Sequence, residues 1–489
     1  MLGPPMDGID AALDAALRPV ADGLAALVFF SVPLGDARLP LVVLWLVAGA
    51  VYFTLRFRFV NLRGFPHAVA LLRGRYDVRG GSGQVSHFQA LATAVSGTVG
   101  IGNIGGVAVA VSTGGPGAAF WLLVAGFLGM STKFVECSLG VLYRRENPDG
   151  SVSGGPMYYL RSGFAERGWP RLGRALGGFY AVGIVVGCLG IGNMFQSNQA
   201  FAQLVAVTGR EASWFADKGW LVGLGIAAAV GSVVIGGIRS IARVAGRLVP
   251  FMAALYLLGA VVVLAMNAEA LPWAFRAMLA GAFTEQGMAG GAVGALIVGF
   301  QRAVFSNEAG IGSATIAHSA VQTREPLTEG FVSLLEPFVD TVVICTATAL
   351  VVITTAYYQP GFGGELGGIE MTSAAFARNL AWAPYPLALA AALFALSTMI
   401  SWSYYGQKGW TYLVGESRGS VAVFNTVFCA FVALGCTVRL DAVIRFSDAL
   451  VFLICVPNIL GLYVLAPVVR RQLDGYRERI AALRRDAPG

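Results

Sequence analysis

Residues 96–106 read Ser-Gly-Thr-Val-Gly-Ile-Gly-Asn-Ile-Gly-Gly and lie inside an otherwise apolar run of the chain. Five glycines in eleven residues destabilise a helix by about 1 kcal/mol each. Close helix packing in membranes also uses glycine, but it accounts for only some of these glycines and for neither Thr98 nor Asn103. Irregular backbone at membrane depth is tolerated where it lines protein or a wet cavity. The stretch therefore predicts a broken membrane helix beside a polar site.

A second polar stretch, residues 301–313, reads Gln-Arg-Ala-Val-Phe-Ser-Asn-Glu-Ala-Gly-Ile-Gly-Ser. A carboxylate such as Glu308 is costly in mid-membrane unless it is paired or hydrated. Arg302 is a candidate partner for Glu308, and an acidic residue on the following span is the alternative partner for Arg302. Phe305 either covers a ligand or simply packs. This stretch predicts a second broken helix.

The composition indicates a membrane protein. Of the 489 residues, 56% are hydrophobic and only 12% are charged, whereas soluble domains are about one quarter charged. The net charge of +7 comes from short basic clusters between apolar runs, which argues against nucleic-acid binding. The six cysteines show no C-x-x-C spacing and only three histidines occur, so we predict buried free cysteines and no metal cofactor.

The apolar runs divide into about eleven membrane spans, each flanked by charge or by Gly/Pro turns. The predicted spans cover roughly residues 40–56, 89–112, 117–142, 176–206, 219–238, 248–268, 290–317, 328–356, 384–406, 420–437 and 446–468.

Basic residues alternate between the two ends of these spans. Clusters follow predicted spans one, three, five, nine and eleven, whereas residues 113–116 contain no Lys or Arg and residues 357–370 contain only two glutamates as charges. The positive-inside rule then places the N-terminus outside and the C-terminus in the cytoplasm, as an odd number of spans requires. We predict a multi-pass protein of the cell (inner or plasma) membrane.

Three shorter segments lie beside the spans. Residues 21–33 are apolar but too short to cross a bilayer, and they predict an interfacial helix. The first 20 residues lack the basic region that is typical of a signal peptide. Residues 271–283 and 372–381 predict short helices over the outer face, where interfacial anchoring is favoured over gating.

Gly-Ile-Gly occurs at residues 100–102 and again at 310–312. The two triplets lie five predicted spans apart, in spans of opposite orientation, as an inverted repeat of five spans requires. The predicted organisation is an interfacial segment (1–39), an extra membrane helix (40–56), two five-helix repeats (84–268 and 289–469) and a basic cytoplasmic tail (470–489).

The two predicted breaks suit the opposite ends of a zwitterion. The half-helix that begins near Gly102 and Asn103 presents free amides and the positive end of its dipole, which favour a carboxylate. Carbonyls of residues 96–99, with the side-chain oxygen of Asn103, are suitable ligands for a small cation. Carbonyls of residues 305–308, with the charge of Glu308, suit an ammonium group.

Polar residues of two other spans are candidates for the same site. In span four, Gln196 and Gln199 are three residues apart and share a helix face, with a polar seam between helices as the alternative. In span nine, Ser397 and Thr398 offer hydroxyls and Trp402 lies one turn after Thr398. Hydrogen bonding back to their own helix is the alternative for these hydroxyls.

Further charged residues fall inside predicted spans. Lys133 and Glu136 are spaced i, i+3 and can pair, while Glu336 and Asp340 share a helix face at i, i+4. Asp448 lies in the last span. Structural pairing is favoured for these groups, and a proton relay is the alternative.

Six stretches together resemble the alanine/glycine:cation symporter family, whose members are also called sodium:alanine symporters. They cover most of residues 90–345, and the likeness is weaker beyond. The stretches are Gly97–Ile104, Gly114–Ala118 followed by Phe120 and Trp121, Gly155–Leu160, Gly192–Met194, Phe305–Gly310 and Leu335–Thr341.

The resemblance implies an all-α, leucine-transporter-like fold of five plus five inverted helices, with one extra N-terminal helix and with spans two and seven broken. It also implies import of a small neutral amino acid, alanine or glycine, together with sodium. The implied substrate pocket consists of Thr98, Gly100, Gly102, Asn103, Gln196, Gln199, Phe305, Thr398 and Trp402. From the second polar stretch, Ser306, Glu308 and Gly310 are added to this pocket.

By analogy with the wider fold, the resemblance also implies a sodium site. Its ligands are the carbonyls of Ser96 and Val99 and the hydroxyls of Ser397 and Thr398. One departure from the family pattern is Ile101, which stands where many members have threonine and so removes a hydroxyl beside the pocket.

The alternative function is a proton-coupled amino-acid transporter of the same fold that uses Glu308 or Asp340. An intramembrane enzyme or a channel is disfavoured, because no nucleophile–base or metal motif surrounds His318 and no symmetric filter sequence occurs. We therefore expect no enzyme activity, no cofactor other than Na⁺ as the coupling ion, and an amino acid, sodium and the lipid bilayer as partners.

Overall fold

The computed structural model describes residues 8–34, 37–76, 81–284, 291–357, 368–437 and 441–486. Residue 290, at the start of predicted span seven, and most of the acidic loop predicted at 357–370 lie outside these ranges. Within them the chain is helical apart from loops and two short antiparallel hairpins.

The N-terminal region differs from the interfacial helix predicted at 21–33. Helix α1 (Gly8–Val28) begins earlier and ends earlier, and a hairpin of β1 (Ser31–Leu34) and β2 (Ala37–Pro40) follows it. The prediction of helix at 31–33 was wrong because a residue before proline is pushed into extended conformation, and Pro33 places Val32 in a strand. Helix α1 packs along the last helix of the chain.

Span one ends in a bend. Helix α2 (Leu41–Arg56) is followed by α3 (Val60–Arg63) and α4 (Phe65–Leu72), and the direction changes by 59° between α2 and the α3–α4 pair. Left-handed backbone at Arg58 and Phe59 makes this turn.

The glycine-rich stretch interrupts a helix where the sequence predicts it. Helix α5 (His87–Thr98) begins with a capping box formed by Ser86 and Gln89, and it ends at Val99, whose backbone is extended. Helical geometry resumes in a π-turn at Gly102–Gly106 and continues as α6 (Val107–Leu142). The turn predicted between spans two and three is a kink inside α6, at Gly115 with φ +69°.

The remainder of the first half is a series of helices with one small hairpin. A π-turn at Gly190–Met194 joins two of the helices. The elements are β3 (Arg145–Glu146), β4 (Val152–Ser153), α7 (Pro156–Glu166), α8 (Pro170–Leu189), α9 (Phe195–Val207), α10 (Gly219–Val234), α11 (Gly237–Met266) and α12 (Leu271–Phe283). Helix α12 confirms the short helix predicted at 271–283.

The second break also lies where it is predicted. Helix α13 (Gly291–Asn307) packs along α6 and ends before Glu308. Left-handed backbone at Glu308 (φ +56°), Gly310 (φ +94°) and Gly312 (φ +86°) carries the chain to the short α14 (Thr315–His318).

The last part of the chain completes the helical bundle. A π-turn at Phe338–Cys345 leads into α17 (Thr346–Val352), and a second π-turn at Ile353–Tyr357 follows that helix. The helices are α15 (Pro326–Val332), α16 (Leu335–Pro337), α17 (Thr346–Val352), α18 (Gly368–Asn379), α19 (Pro384–Val414), α20 (Arg418–Gly435) and α21 (Asp441–Asp486). Helix α18 corresponds to the short helix predicted at 372–381.

Seven continuous helices in the described residues are long and apolar enough to cross a bilayer, or eight if α2 with α3–α4 counts as one span. Broken and short helices explain why this number is below the predicted eleven. Helix α13 has 17 residues and α10 has 16, and the second part of span two merges with span three in α6. The count of about eleven therefore stays a prediction.

Arginines from distant parts of the chain lie near one another on one face of the molecule. Arg479 bonds Glu325 at 2.7 Å, Arg144 bonds the carbonyl of Thr323 at 2.9 Å, and Arg63 lines a cavity of about 450 Å³ with Arg477. We call this the arginine-rich face. It includes residues from three of the five basic clusters, those after predicted spans one, three and eleven, that the sequence places on one side of the membrane.

Candidate functional site

The break after α5 faces α19 at one small polar spot. A β-carbon at Gly100 would lie 2.7 Å from Oγ1 of Thr398 and 3.4 Å from Oε1 of Gln196. Oγ1 of Thr398 is buried and has no hydrogen-bond partner in the described residues. A buried hydroxyl without a partner is unfavourable unless a ligand satisfies it. Three residues predicted for the pocket therefore converge on one point.

Two aromatic residues of the predicted pocket lie beside the breaks. A β-carbon at Gly102 would lie 3.5 Å from the ring of Phe305, which packs edge-on against Phe195 with centroids 6.3 Å apart. The indole Nε1–H of Trp402 lies 3.3 Å from the carbonyl of Gly97 and 3.0 Å from Oε1 of Glu308. Trp402 therefore connects the two breaks.

Glu308 is satisfied inside the protein. Besides Trp402, the hydroxyl of Ser313 donates to its carboxylate, and the side chain is buried. Left-handed backbone in a residue with a side chain is strained, and such strain recurs at functional sites.

Arg302 does not pair with Glu308 or with an acid on predicted span eight, and these expectations were wrong. Glu308 lies beyond the end of α13 in left-handed backbone, and its carboxylate bonds Trp402 and Ser313 instead. Instead, Arg302 shares a cavity of about 310 Å³ with Asp448 and Phe305, and its guanidinium carbon lies 6.0 Å from the centroid of the Phe305 ring.

Asn103 and Ser306 are turned towards Asp340. Asn103 donates to Oδ1 of Asp340 at 2.6 Å, and its own Oδ1 accepts from the amide of Gly100 at 2.8 Å. Ser306 donates to Oδ2 of Asp340 at 2.9 Å. The structure therefore gives these two predicted ligand residues a bracing role, in which Asp340 ties the two broken helices together.

Three other predicted pocket residues have hydrogen-bond partners within the protein. Gly310 donates its amide to Glu136 and accepts from Asn458, at 2.9 and 2.8 Å. Gln199 donates to Asn198 at 3.3 Å, and Thr98 donates back to its own helix. A β-carbon at Gly310 would meet Leu46 and Ile459 of other helices. The structure therefore does not bring Gly310 to the Gly100 spot.

The residues implied for sodium lie where α5 and α19 touch. The hydroxyl of Ser96 donates to the carbonyl of Ser397 at 2.8 Å, and the hydroxyl of Ser397 lies 3.3 Å from the carbonyl of Ser96. The extended Val99 ends the regular helix at this point. Backbone carbonyls and hydroxyls are hard oxygen ligands that suit a small cation.

The charged residues of the predicted spans pair differently from the sequence expectation. Lys133 pairs with Glu336 at 2.9 Å rather than with Glu136, and both side chains are fully buried. Glu136 instead accepts from Asn458 at 2.7 Å. His318, which sequence reasoning set aside, lies between Glu329 and Glu336. Its proximity to two acids on neighbouring helices leaves no signal in the local sequence.

On the arginine-rich face, Arg144 joins two segments that are distant in sequence. The guanidinium of Arg144 donates to the carbonyls of Ser82, Ser319, Val321 and Thr323 at 2.5–3.0 Å. The same two segments pair as a parallel bridge, in which the amide of Gln84 donates to Ala320 and the amide of Gln322 donates to Val85. These contacts join the segment before α5 to the chain after α14, and we call them the Arg144 seal.

The fold and the site together define a multi-pass membrane protein in which interrupted helices meet at a buried polar site. The fold is similar to that of a solved structure described as MhsT in complex with L-phenylalanine. The TM-score is 0.55 at 15% identity, and the match covers 79% of this chain and 89% of that chain.

Comparison with protein families identifies the chain more closely. It belongs to the sodium:alanine symporter family, whose model matches residues 33–487. It is 36% identical to the sodium/alanine symporter AgcS of Methanococcus maripaludis, over 90% of this chain and 94% of that protein. It is 32% identical to the probable sodium/glutamine symporter GlnT of Bacillus subtilis, over 89% and 87%.

Family membership makes this protein a sodium-coupled amino-acid symporter and a transporter rather than an enzyme. The resemblance drawn from the sequence motifs is thereby confirmed.

Proposed function

We propose that this protein imports alanine or glycine together with sodium by alternating access. The observation that carries this proposal is the convergence of the Gly100 backbone, Gln196 and the partnerless hydroxyl of Thr398 on one buried point. The point lies at a helix break, and interrupted membrane helices are where secondary transporters bind their substrates and coupling ions.

The substrate is held by both breaks in this proposal. Amides at the start of the helix near Gly102 bind the carboxylate, and carbonyls before Glu308 bind the ammonium group. Phe305 and Trp402 are large walls around the pocket, which favours a side chain no larger than a methyl group.

The sodium ion binds one turn away, between α5 and α19. Its proposed ligands are the carbonyls of Ser96 and Val99 and the hydroxyls of Ser397 and Thr398. Because Thr398 also faces the Gly100 spot, one hydroxyl borders both the ion and the substrate. Such a shared group couples the two binding events, since each ligand orders the side chain that the other one uses.

The proposed architecture has eleven spans, arranged as five plus five inverted helices after one extra helix, in a leucine-transporter-like fold. The arginine-rich face is the cytoplasmic one in this arrangement. Support for alternating access comes from the seal around Arg144 on that face and from the cavity of about 310 Å³ above Phe305.

The substrate choice follows from pocket size and from the relatives. AgcS is described as a sodium/alanine symporter and GlnT as a probable sodium/glutamine symporter, so the family accommodates more than one side chain. Because Phe305 and Trp402 are large side chains beside the pocket, we expect it to favour alanine over the larger glutamine.

Uptake by purified protein in liposomes tests the proposal. Labelled alanine should accumulate with an inward sodium gradient and should fail to accumulate when potassium replaces sodium. Unlabelled glycine should compete with it, and glutamine should compete poorly. Accumulation that needs only a pH gradient would instead favour the proton-coupled alternative, and stronger competition by glutamine would contradict the proposed substrate.

A further inference from the structure

Five ionisable side chains form a continuous chain of contacts outside the proposed pocket. Nδ1 of His87 lies 2.5 Å from Glu329, Nδ1 of His318 lies 2.5 Å from the other oxygen of Glu329, and Nε2 of His318 lies 3.3 Å from Glu336. Glu336 in turn binds Lys133 at 2.9 Å. The chain runs from His87, at the start of α5 on the arginine-rich face, to the buried ammonium of Lys133.

Only the outer end of this chain reaches the surface. The side chain of His87 is 13% exposed, whereas those of Glu329, His318, Glu336 and Lys133 are 0% exposed. A buried network of this kind is costly unless every member is paired, and here every link is made by a side chain.

The geometry requires a dissociable proton within this chain. An ionised carboxylate only accepts hydrogen bonds, and a neutral imidazole has a single N–H. His318 faces a carboxylate with each ring nitrogen. Either His318 is an imidazolium that donates to both, or one of the two carboxylates carries the proton instead. In both cases the proton can shift along the chain without any heavy atom moving far.

Other titratable groups surround this series of side-chain contacts. Lys133 also has Glu136 and Glu308 as electrostatic neighbours, which extends the network to the residue that contacts Trp402 in the pocket. The titratable and charged groups that face the chain are His87, Lys133, Glu136, Cys137, Arg144, Glu308, Glu329, Glu336 and Tyr405.

This series of side-chain contacts also joins three helices that meet at the Arg144 seal. His87 begins α5, His318 ends α14 and Glu329 lies in α15. The Arg144 seal lies beside them, because Arg144 binds the carbonyl of Ser319, the residue after His318. Separation of these elements would break the contacts of His318 and expose its carboxylate partners to water.

We infer that His87, Glu329, His318 and Glu336 form a proton-binding site that exchanges a proton with the solution at the arginine-rich face when that face opens. The proton passes between water, an imidazole and a carboxylate, so no other reactant is needed. This inference rests on the proposed transport cycle and on the proposed cytoplasmic position of the face. It assigns a second ion, the proton, to residues outside the sodium and substrate sites.

The first test uses the wild-type protein. Purified protein in weak buffer with a pH indicator receives sodium and alanine, and the indicator should report release or uptake of a fraction of a proton per carrier. No change at any starting pH between about 5 and 8, the range in which histidine titrates, would overturn the inference. Binding of labelled alanine in the same sample shows whether the carrier is competent.

The second test compares histidine variants in liposomes. Sodium-driven alanine uptake by the wild type should change several-fold with the internal pH, whereas His318→Gln should flatten this profile. His67→Gln is the matched control, because His67 contacts Tyr476 at 2.8 Å outside the chain, and it should keep the wild-type profile. A wild-type profile in His318→Gln would also overturn the inference.

A third variant guards against misfolding of His318→Gln. His87→Gln changes the partly exposed end of the chain and should flatten the pH profile as well. If His87→Gln keeps the wild-type pH profile and the pH indicator shows no change, the proton site is contradicted while the proposed function stands. Absence of sodium-driven uptake in the wild type would instead contradict the proposed function.

Discussion

The hydroxyl of Thr398 is the most informative single group in the pocket. It is buried, it has no hydrogen-bond partner in the described residues, and it lies nearest to the open side of Gly100. Most threonine hydroxyls in membrane helices bind a carbonyl one turn earlier. A threonine that does not do so retains its hydroxyl oxygen for a ligand.

Replacement of this hydroxyl by a methyl group should impair transport with little effect on folding. Thr398→Val should lower uptake about tenfold or more, which corresponds to about 1.4 kcal/mol, and should weaken the dependence on sodium. The control in the same helix is Thr411→Val, because the Thr411 hydroxyl lies 3.4 Å from the carbonyl of Lys408. Equal losses in both variants would count against a ligand role for Thr398.

Because Gly100 has no side chain, it leaves room for a ligand at the proposed site. A side chain there would meet Thr398 and Gln196, so Gly100→Leu should abolish alanine binding while membrane insertion continues. Gly106→Leu is the matched control in the same glycine-rich stretch, because nothing lies within 4 Å of its missing β-carbon. Scintillation proximity binding and size-exclusion profiles measure the two effects, and normal binding by Gly100→Leu would exclude this location.

At the scale of elements, side chains from other parts of the fold hold the two helix breaks in place. Asp340, after α16, receives hydrogen bonds from Asn103 and Ser306, one beside each break. Asn458 of α21 holds Gly310, and Tyr180 of α8 donates to the carbonyl of Ile311 at 2.9 Å. Backbone groups released by a broken helix must find such partners in the membrane.

The seal on the arginine-rich face should depend on the guanidinium of Arg144. Lysine keeps the charge but cannot donate in a planar fork to several carbonyls at once. Arg144→Lys should therefore loosen the seal and speed maleimide labelling of the buried Cys137 several-fold, with the other cysteines replaced. Arg145→Lys is the control, because its side chain is 58% exposed and bonds Glu416. Unchanged labelling in Arg144→Lys would contradict the role of Arg144 as a seal.

At the scale of the whole molecule, an odd number of spans places the two termini on opposite sides. A green fluorescent protein fused after residue 489 should fluoresce in cells, since that protein matures in the cytoplasm, and alkaline phosphatase at the same place should be inactive. Alkaline phosphatase fused in the loop between α9 and α10 should be active. Active phosphatase at the C-terminus would contradict the proposed orientation.

Sequence patterns determine much of this protein, because a bilayer permits few solutions for the backbone. Runs of apolar residues need internally bonded helices, so the sequence could locate most of the long helices but not all of their ends. Helix α11 begins well before the predicted start at residue 248, and α21 continues well past the predicted end at residue 468. Clustered glycines and Ser-Asn-Glu-Ala-Gly in such a run are incompatible with a continuous helix, so both breaks could be predicted too. The family motifs lie in these same stretches.

Tertiary structure alone decides which polar groups pair, because partners on different helices leave no mark in the local sequence. Asn103 and Ser306 turn to Asp340, Lys133 selects Glu336 over its neighbour Glu136, and His318 lies between two buried acids. Spacing along one helix predicts contacts within that helix, whereas packing between helices sets these longer-range pairs. The sequence therefore indicates where the helices break, and only their packing shows which groups are left for a ligand.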